Sequence, residues 1–97
     1  MSAYWIGRAQ MHDIAGYQRY GGLVAKAAKK YPNQVLVRAG RYQVLEGPDE
    51  FDRFVILKFP SINAALAYYN SPEYREAAAI RVAASGRCEI VIAEGID

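Results

Sequence analysis

Residues 59–81 read FPSINAALAYYNSPEYREAAAIR. Ser61 precedes Ile62, Ala65, Leu66 and Tyr69, the spacing of one apolar helix face. Ser61 is therefore predicted to cap a helix, its hydroxyl satisfying a free amide of the first turn. Asn70-Ser71 interrupts the pattern and Ser71-Pro72-Glu73 restarts it. This is a capping serine, a proline at the first helical position and an acid at the positive end of the helix dipole. The second segment continues through Tyr74, Ala77, Ala78 and Arg81. The expected product is a broken helix whose joint displays Tyr68, Tyr69 and Tyr74.

Working outward, Tyr4 to Met11 alternates as a strand, with Tyr4, Ile6, Arg8 and Gln10 on one face and Trp5, Gly7, Ala9 and Met11 on the other. Asp13 is placed to cap the next helix, which carries Ile14, Tyr17, Tyr20, Val24, Ala27 or Ala28, and Tyr31 at helical spacing. Gly21-Gly22 weakens that helix by roughly 1 kcal/mol per glycine, so close packing or a bend is expected there. Tyr31-Pro32-Asn33 stops it. Gln34 to Glu46 reads as a long valine-rich strand, Gly47-Pro48-Asp49 as a turn, and Arg53 to Phe59 as a third strand. After the broken helix, Gly86 reads as the residue that ends it, and Arg87 to Ala93 as the last strand.

The order β-α-β-β-α-β predicts one α+β domain over residues 1–97 with the ferredoxin-like arrangement. Its antiparallel sheet has both helices on one face. The other face should then alternate polar residues. Instead Val35 to Val37, Phe54 to Leu57 and Ile90 to Ala93 run apolar on both faces. A second copy of the sheet, related by a two-fold axis, is the simplest cover. A homodimer is therefore expected.

The net charge of +2 is too small to imply nucleic acid. Lys26, Lys29 and Lys30 fall on the polar side of a predicted helix, a solvated face. The aromatic strand motif of an RNA-binding sheet is missing. Cys88 is the single cysteine, which excludes an intrachain disulfide and points to the cytoplasm and a buried structural thiol. MSAYWIGR does not have the form of a signal peptide, and no apolar run approaches membrane-spanning length, so no membrane partner is expected. One histidine and one cysteine do not support a zinc site. No phosphate-binding glycine loop or nucleophile elbow occurs, and no cofactor is expected.

Few residues are left to carry chemistry. Arg38 interrupts an apolar strand, and a buried arginine needs an acceptor, either a protein carboxylate at an interface or a ligand's. Arg8 is similar. His12 is the only imidazole and ends a strand before a helix, so any imidazole base must be this one. Glu46 shares strand parity with Arg38. Tyr69 and Tyr74 flank the helix break and could wall a cleft over the sheet.

The order of elements, with YWIGR, LVRAG followed by VLEG, then FPS, YYNSPEYR and a final EG, closely resembles domain of unknown function 1330, of the dimeric α+β barrel superfamily. The match covers nearly the whole chain. Arg38, Gly40, Glu46, Gly47, Tyr69, Tyr74 and Arg81 stand at that family's marked positions. Ala39 stands where a second glycine is common, which questions the strand's kink, and Tyr68 where tryptophan is common. The resemblance implies a dimer of ferredoxin-like subunits. Superfamily relatives include cofactor-free monooxygenases and isomerases, a likeness of fold alone.

The expected function is binding of a small acidic or aromatic molecule in a cleft between sheet and helices. Arg38 and Arg8 would hold it and Tyr69 and Tyr74 would wall it, with His12 or Glu46 as general base if the protein is a cofactor-free enzyme. The competing expectation is a non-catalytic dimerisation module without a ligand. Sedimentation at micromolar concentration is expected to return twice the chain mass, and a strictly monomeric species would overturn the argument from the apolar faces.

Overall fold

Both serines of the broken helix cap it in a computed structural model that describes residues 1–97. Ser61 Oγ accepts from the Ala64 amide at 3.0 Å, and Ser71 Oγ accepts from the Tyr74 amide at 3.1 Å. The chain forms β1 (Ala3–Met11), α1 (Ile14–Ala28), β2 (Gln34–Arg38), β3 (Arg53–Phe59), α2 (Ile62–Tyr69), α3 (Pro72–Ala84) and β4 (Ser85–Glu94). The sheet order is β2-β3-β1-β4 and every pairing is antiparallel. This is the α+β, ferredoxin-like arrangement expected from the element order, with its second helix split in two. No helix is long and apolar enough to cross a membrane.

The faces of β1 follow its alternation. Ala3, Trp5 and Ala9 are buried beneath the helices, while Ile6 and Arg8 are exposed on the outer face. The core gathers Trp5, Leu57, Phe59, Ala65, Tyr68, Tyr74, Ala77 and Ala78. Tyr68 and Tyr74 lie 5.5 and 5.1 Å from the Trp5 ring, centroid to centroid. Losing such a fully buried aromatic to alanine costs about 3–5 kcal/mol. On the outer face, Val37, Ile56, Ile6 and Val91 fall in one register row across all four strands, and Val91 is 60% exposed.

Several boundaries differ from expectation. The second strand stops at Arg38 instead of Glu46. Its partner β3 begins only at Arg53, so residues beyond Gly40 have no ladder left to join. The last ladder bond runs from the Ala39 amide to the Phe54 carbonyl at 2.9 Å. Gly86 does not end α3: it lies inside β4, which begins one residue earlier. A Cβ at this position would stand 2.5 Å from the His12 imidazole, so the exposed ring would have to turn aside.

Asp13 has the extended backbone of an N-cap, but its carboxylate accepts no helix amide. Gly21-Gly22 is not a packing point, since nothing lies within 4 Å of a Cβ built at either residue. The close approach is at Gly16 instead, where a Cβ would come 2.7 Å from that of Ala84 on α3. In α2 the buried face is Ala65 and Tyr68, and Leu66 is exposed.

Ala39 has φ 48°, the left-handed region, and is the one non-glycine residue there. The chain thus leaves β2 through an alanine in a region that favours glycine, at a cost of about 1–2 kcal/mol. Ala39→Gly is expected to raise the unfolding free energy by about 1 kcal/mol in urea titration. A loss of stability would contradict the strained reading of this turn.

Candidate ligand-binding site

The site begins with one extra residue in β2. Val35 stands opposite Leu57, Val37 opposite Ile56 and Arg38 opposite Val55, so Leu36 has no partner of its own. Leu57 and Val55 share the helix side with their partners Trp5 and Gly7. Val35 and Arg38 therefore both face the helices, although strict alternation would separate them. A bulge of this kind re-aims the side chain that follows it.

Above this face α1 packs mainly along α3 and hardly touches β2 or β3. Gly21, Ala25 and Ala28 turn small surfaces toward the gap. The result is a cavity of about 270 Å³ between α1, α3 and the sheet, with mostly hydrophobic walls that include Val24, Val55 and Ile90. Its charged lining is Arg8, Arg38, Arg53 and Arg81, with no acidic side chain among them.

Arg8 is already committed. Its Nε and Nη2 donate to Glu89 Oε1 at 3.0 and 2.8 Å on the outer face. The other three form no ion pair. Arg38 is exposed at the cavity edge. Arg53 lies 4.8 Å over the Tyr17 ring. Arg81 reaches in from α3, and its Nε is buried without a hydrogen-bond partner.

The helix wall is phenolic. The Tyr20 and Tyr74 hydroxyls share a hydrogen bond of 2.9 Å. Burial pushes both phenols above their ordinary range. For Tyr20 the neighbouring Tyr74 adds to the rise, whereas for Tyr74 the bond to Tyr20 and the charge of Arg81 oppose it. Tyr68 is raised by burial as well, and its hydroxyl is buried with no partner. An unsatisfied buried hydroxyl of this kind costs about 1–3 kcal/mol.

The structure brings Arg38, Tyr74 and Arg8 to this cavity, although Arg8 turns its head group outward. Tyr69 lies outside it, with the Arg75 guanidinium 4.2 Å over its ring. His12 is exposed at the end of the sheet beside Gly86, away from the cavity. Glu46 sits in the exposed segment 39–50, in a shallow cleft with Tyr42, Phe51 and Phe54. Arg53, Arg81, Tyr20 and Cys88 line the cavity but were not singled out from the sequence as ligand contacts. Their signals were there: Arg53 has the parity of Val55 and Leu57, and Arg81 lies two helical turns after Tyr74. No group of three or more His, Cys, Asp or Glu side chains is placed to hold a metal ion.

A family model described as Domain of unknown function (DUF1330) matches residues 2–96. No curated protein matches the chain. Among solved structures, a protein of unknown function from Rhodopseudomonas palustris is 18% identical, with a TM-score of 0.81 over 99% of this chain and 83% of its own. A dimeric ferredoxin-like protein of unknown function from Jannaschia sp. CCS1 is 17% identical, with a TM-score of 0.71 over 98% of this chain and 100% of its own. SnoaB, a cofactor-independent oxygenase from Streptomyces nogalater, is 14% identical, with a TM-score of 0.65 over 99% of this chain and 94% of its own. At these identities the likeness is one of fold.

The raised phenols set a stability limit at high pH. The unfolded chain releases these protons near the ordinary tyrosine value of 10.0, while the folded chain holds them at Tyr20, Tyr68 and Tyr74. The unfolded state therefore gains as pH rises above that value. Stability is expected to be level below pH 10 on this account and to fall above it. Phenolate absorbance should show a group of tyrosines that ionise only on unfolding. Full ionisation of every tyrosine in the folded chain would contradict this.

Proposed function

The chain belongs to the family described as Domain of unknown function (DUF1330), and from that footing we propose that it binds a small organic acid in the arginine-lined cavity, as a homodimer joined through the outer sheet face. One observation carries the binding reading. Three guanidinium groups, of Arg38, Arg53 and Arg81, border a largely apolar space that supplies no carboxylate. Arginine keeps its charge in any such setting and presents paired donors that match a carboxylate. Apolar walls with a few convergent polar groups are the usual make-up of a small-molecule site. Tyr20 and Val24 offer flat and branched surface to the ligand's body.

The register row Val37, Ile56, Ile6 and Val91 supports the dimer, because an isologous face needs self-complementary apolar surface. The description of the Jannaschia protein as dimeric supports it too. Two such sheets packed face to face would make the dimeric α+β barrel. A single free thiol at the cavity wall fits a reducing, cytoplasmic compartment. His12 and Glu46 lie away from the cavity, so neither is placed to act on a ligand held there.

Cys88 gives the test its reporter, as the only cysteine and a cavity-lining one. Benzoate is expected to slow alkylation of Cys88 by iodoacetamide, and benzyl alcohol at the same concentration is not. Arg38→Ala should weaken the protection about tenfold or more, the loss of a charge-assisted hydrogen bond. Equal protection by acid and alcohol, or none by either, would overturn the proposal.

A further inference from the structure

We infer that the cavity selects a compact dicarboxylic acid, with two acid groups on one apolar body, over a monocarboxylic one. This rests on the acid-binding reading above and adds the ligand's charge and shape. Arg53 shares a register row with Ala9 and Cys88, and Arg38 stands opposite Val55, two residues along β3. The two arginines are thus diagonal neighbours on one sheet face, close enough for their head groups to meet the same ligand group. Like charges so placed oppose folding unless an anion joins them, and no protein carboxylate pairs with either.

Arg81 forms a second pole. It comes from the helix layer, beside Tyr74, Tyr20 and Cys88. Cys88 is on β4, and β4 is separated from β3 by the whole width of β1. Two strand spacings, about 10 Å, therefore divide the backbone near Arg81 from that of Arg53. The Arg81 Nε–H is buried with no acceptor.

One carboxylate offers about four lone-pair sites, which the forks of Arg38 and Arg53 would fill. A ligand with a single acid group would leave the buried Arg81 Nε–H without an acceptor. A second carboxylate across a ring-sized body answers it, while the apolar walls hold the ring.

The test compares three probes on the wild-type protein by calorimetry at matched ionic strength: benzoate, terephthalate and monomethyl terephthalate. Terephthalate is expected to bind at least tenfold more tightly than benzoate, and the monomethyl ester to fall back to the benzoate level. Arg81→Met, which keeps most of the apolar stem, should abolish the terephthalate advantage, so that the diacid and its monomethyl ester bind the variant with the same affinity. If terephthalate and benzoate bind equally and both depend on Arg38, the second pole is wrong and the acid-binding reading stands. If the ester binds as tightly as the diacid, size and not charge makes the difference, and the inference fails. If none of the three binds, both readings fall.

Discussion

The packing of Tyr68 and Tyr74 against Trp5 is the contact on which the rest of the structure depends. A continuous helix could not turn both tyrosines fully onto one indole, because residues six apart do not share a helix face. The break at Asn70-Ser71 removes that restriction. Ser71 makes the joint rigid by accepting from the Tyr74 amide and donating to the Tyr68 carbonyl at 2.7 Å. α2 and α3 are thereby fixed over the centre of the sheet. α1 is held in turn by α3, through the contact of Gly16 with Ala84. Nothing comparable ties α1 down onto β2 and β3, and the wedge left there is the cavity.

Charge is sorted between the two faces of the sheet. On the outer face Arg8, Glu89, Arg87 and Glu50 form a chain of ion pairs, each contact between 2.8 and 2.9 Å. Hydrogen bonds from Arg8 and Arg87 hold the Glu89 carboxyl below its ordinary range. Phe51 is buried beneath this network, with the Arg8 guanidinium 4.4 Å from its ring centre. Exposed pairs of this kind contribute little stability singly, about 0–1 kcal/mol. Their effect is on composition: the outer face uses up these carboxylates, and the inner face keeps arginines without partners. The bulge at Leu36 completes the arrangement by turning Arg38 inward.

Much of this was legible in the sequence. The two serine caps, the proline restart, the strand faces of β1 and the element order all follow from local spacing, and local physics decides them. What could not be read depended on distant partners. Alternation in Tyr42 and Val44 imitates a strand, but β3 has no residues left to pair with them. The bulge that lets Val35 and Arg38 share a face has no glycine or proline to mark it. Gly86 looked like a helix stop because the His12 ring that crowds it lies far away in sequence. In the site, Arg38 and Tyr74 stand out in the sequence, one as a charge in an apolar strand and the other beside a helix joint. Arg53 and Arg81 each look ordinary at their own positions in the sequence. Only the sheet register and the helix layer bring them to one space.

The central claim is that Arg38, Arg53 and Arg81 face one cavity and meet an anion there, while the other arginines do not. Arginine Nε–Hε resonances of the nitrogen-15-labelled protein, assigned by single arginine-to-lysine variants and followed during benzoate titration, report on this directly. The account expects Arg38 and Arg53 to shift together with one saturating curve, with a smaller change at Arg81 and none at Arg19, Arg41 or Arg75. A uniform, non-saturating drift of all the arginine signals, or saturation confined to those three outer residues, would contradict it.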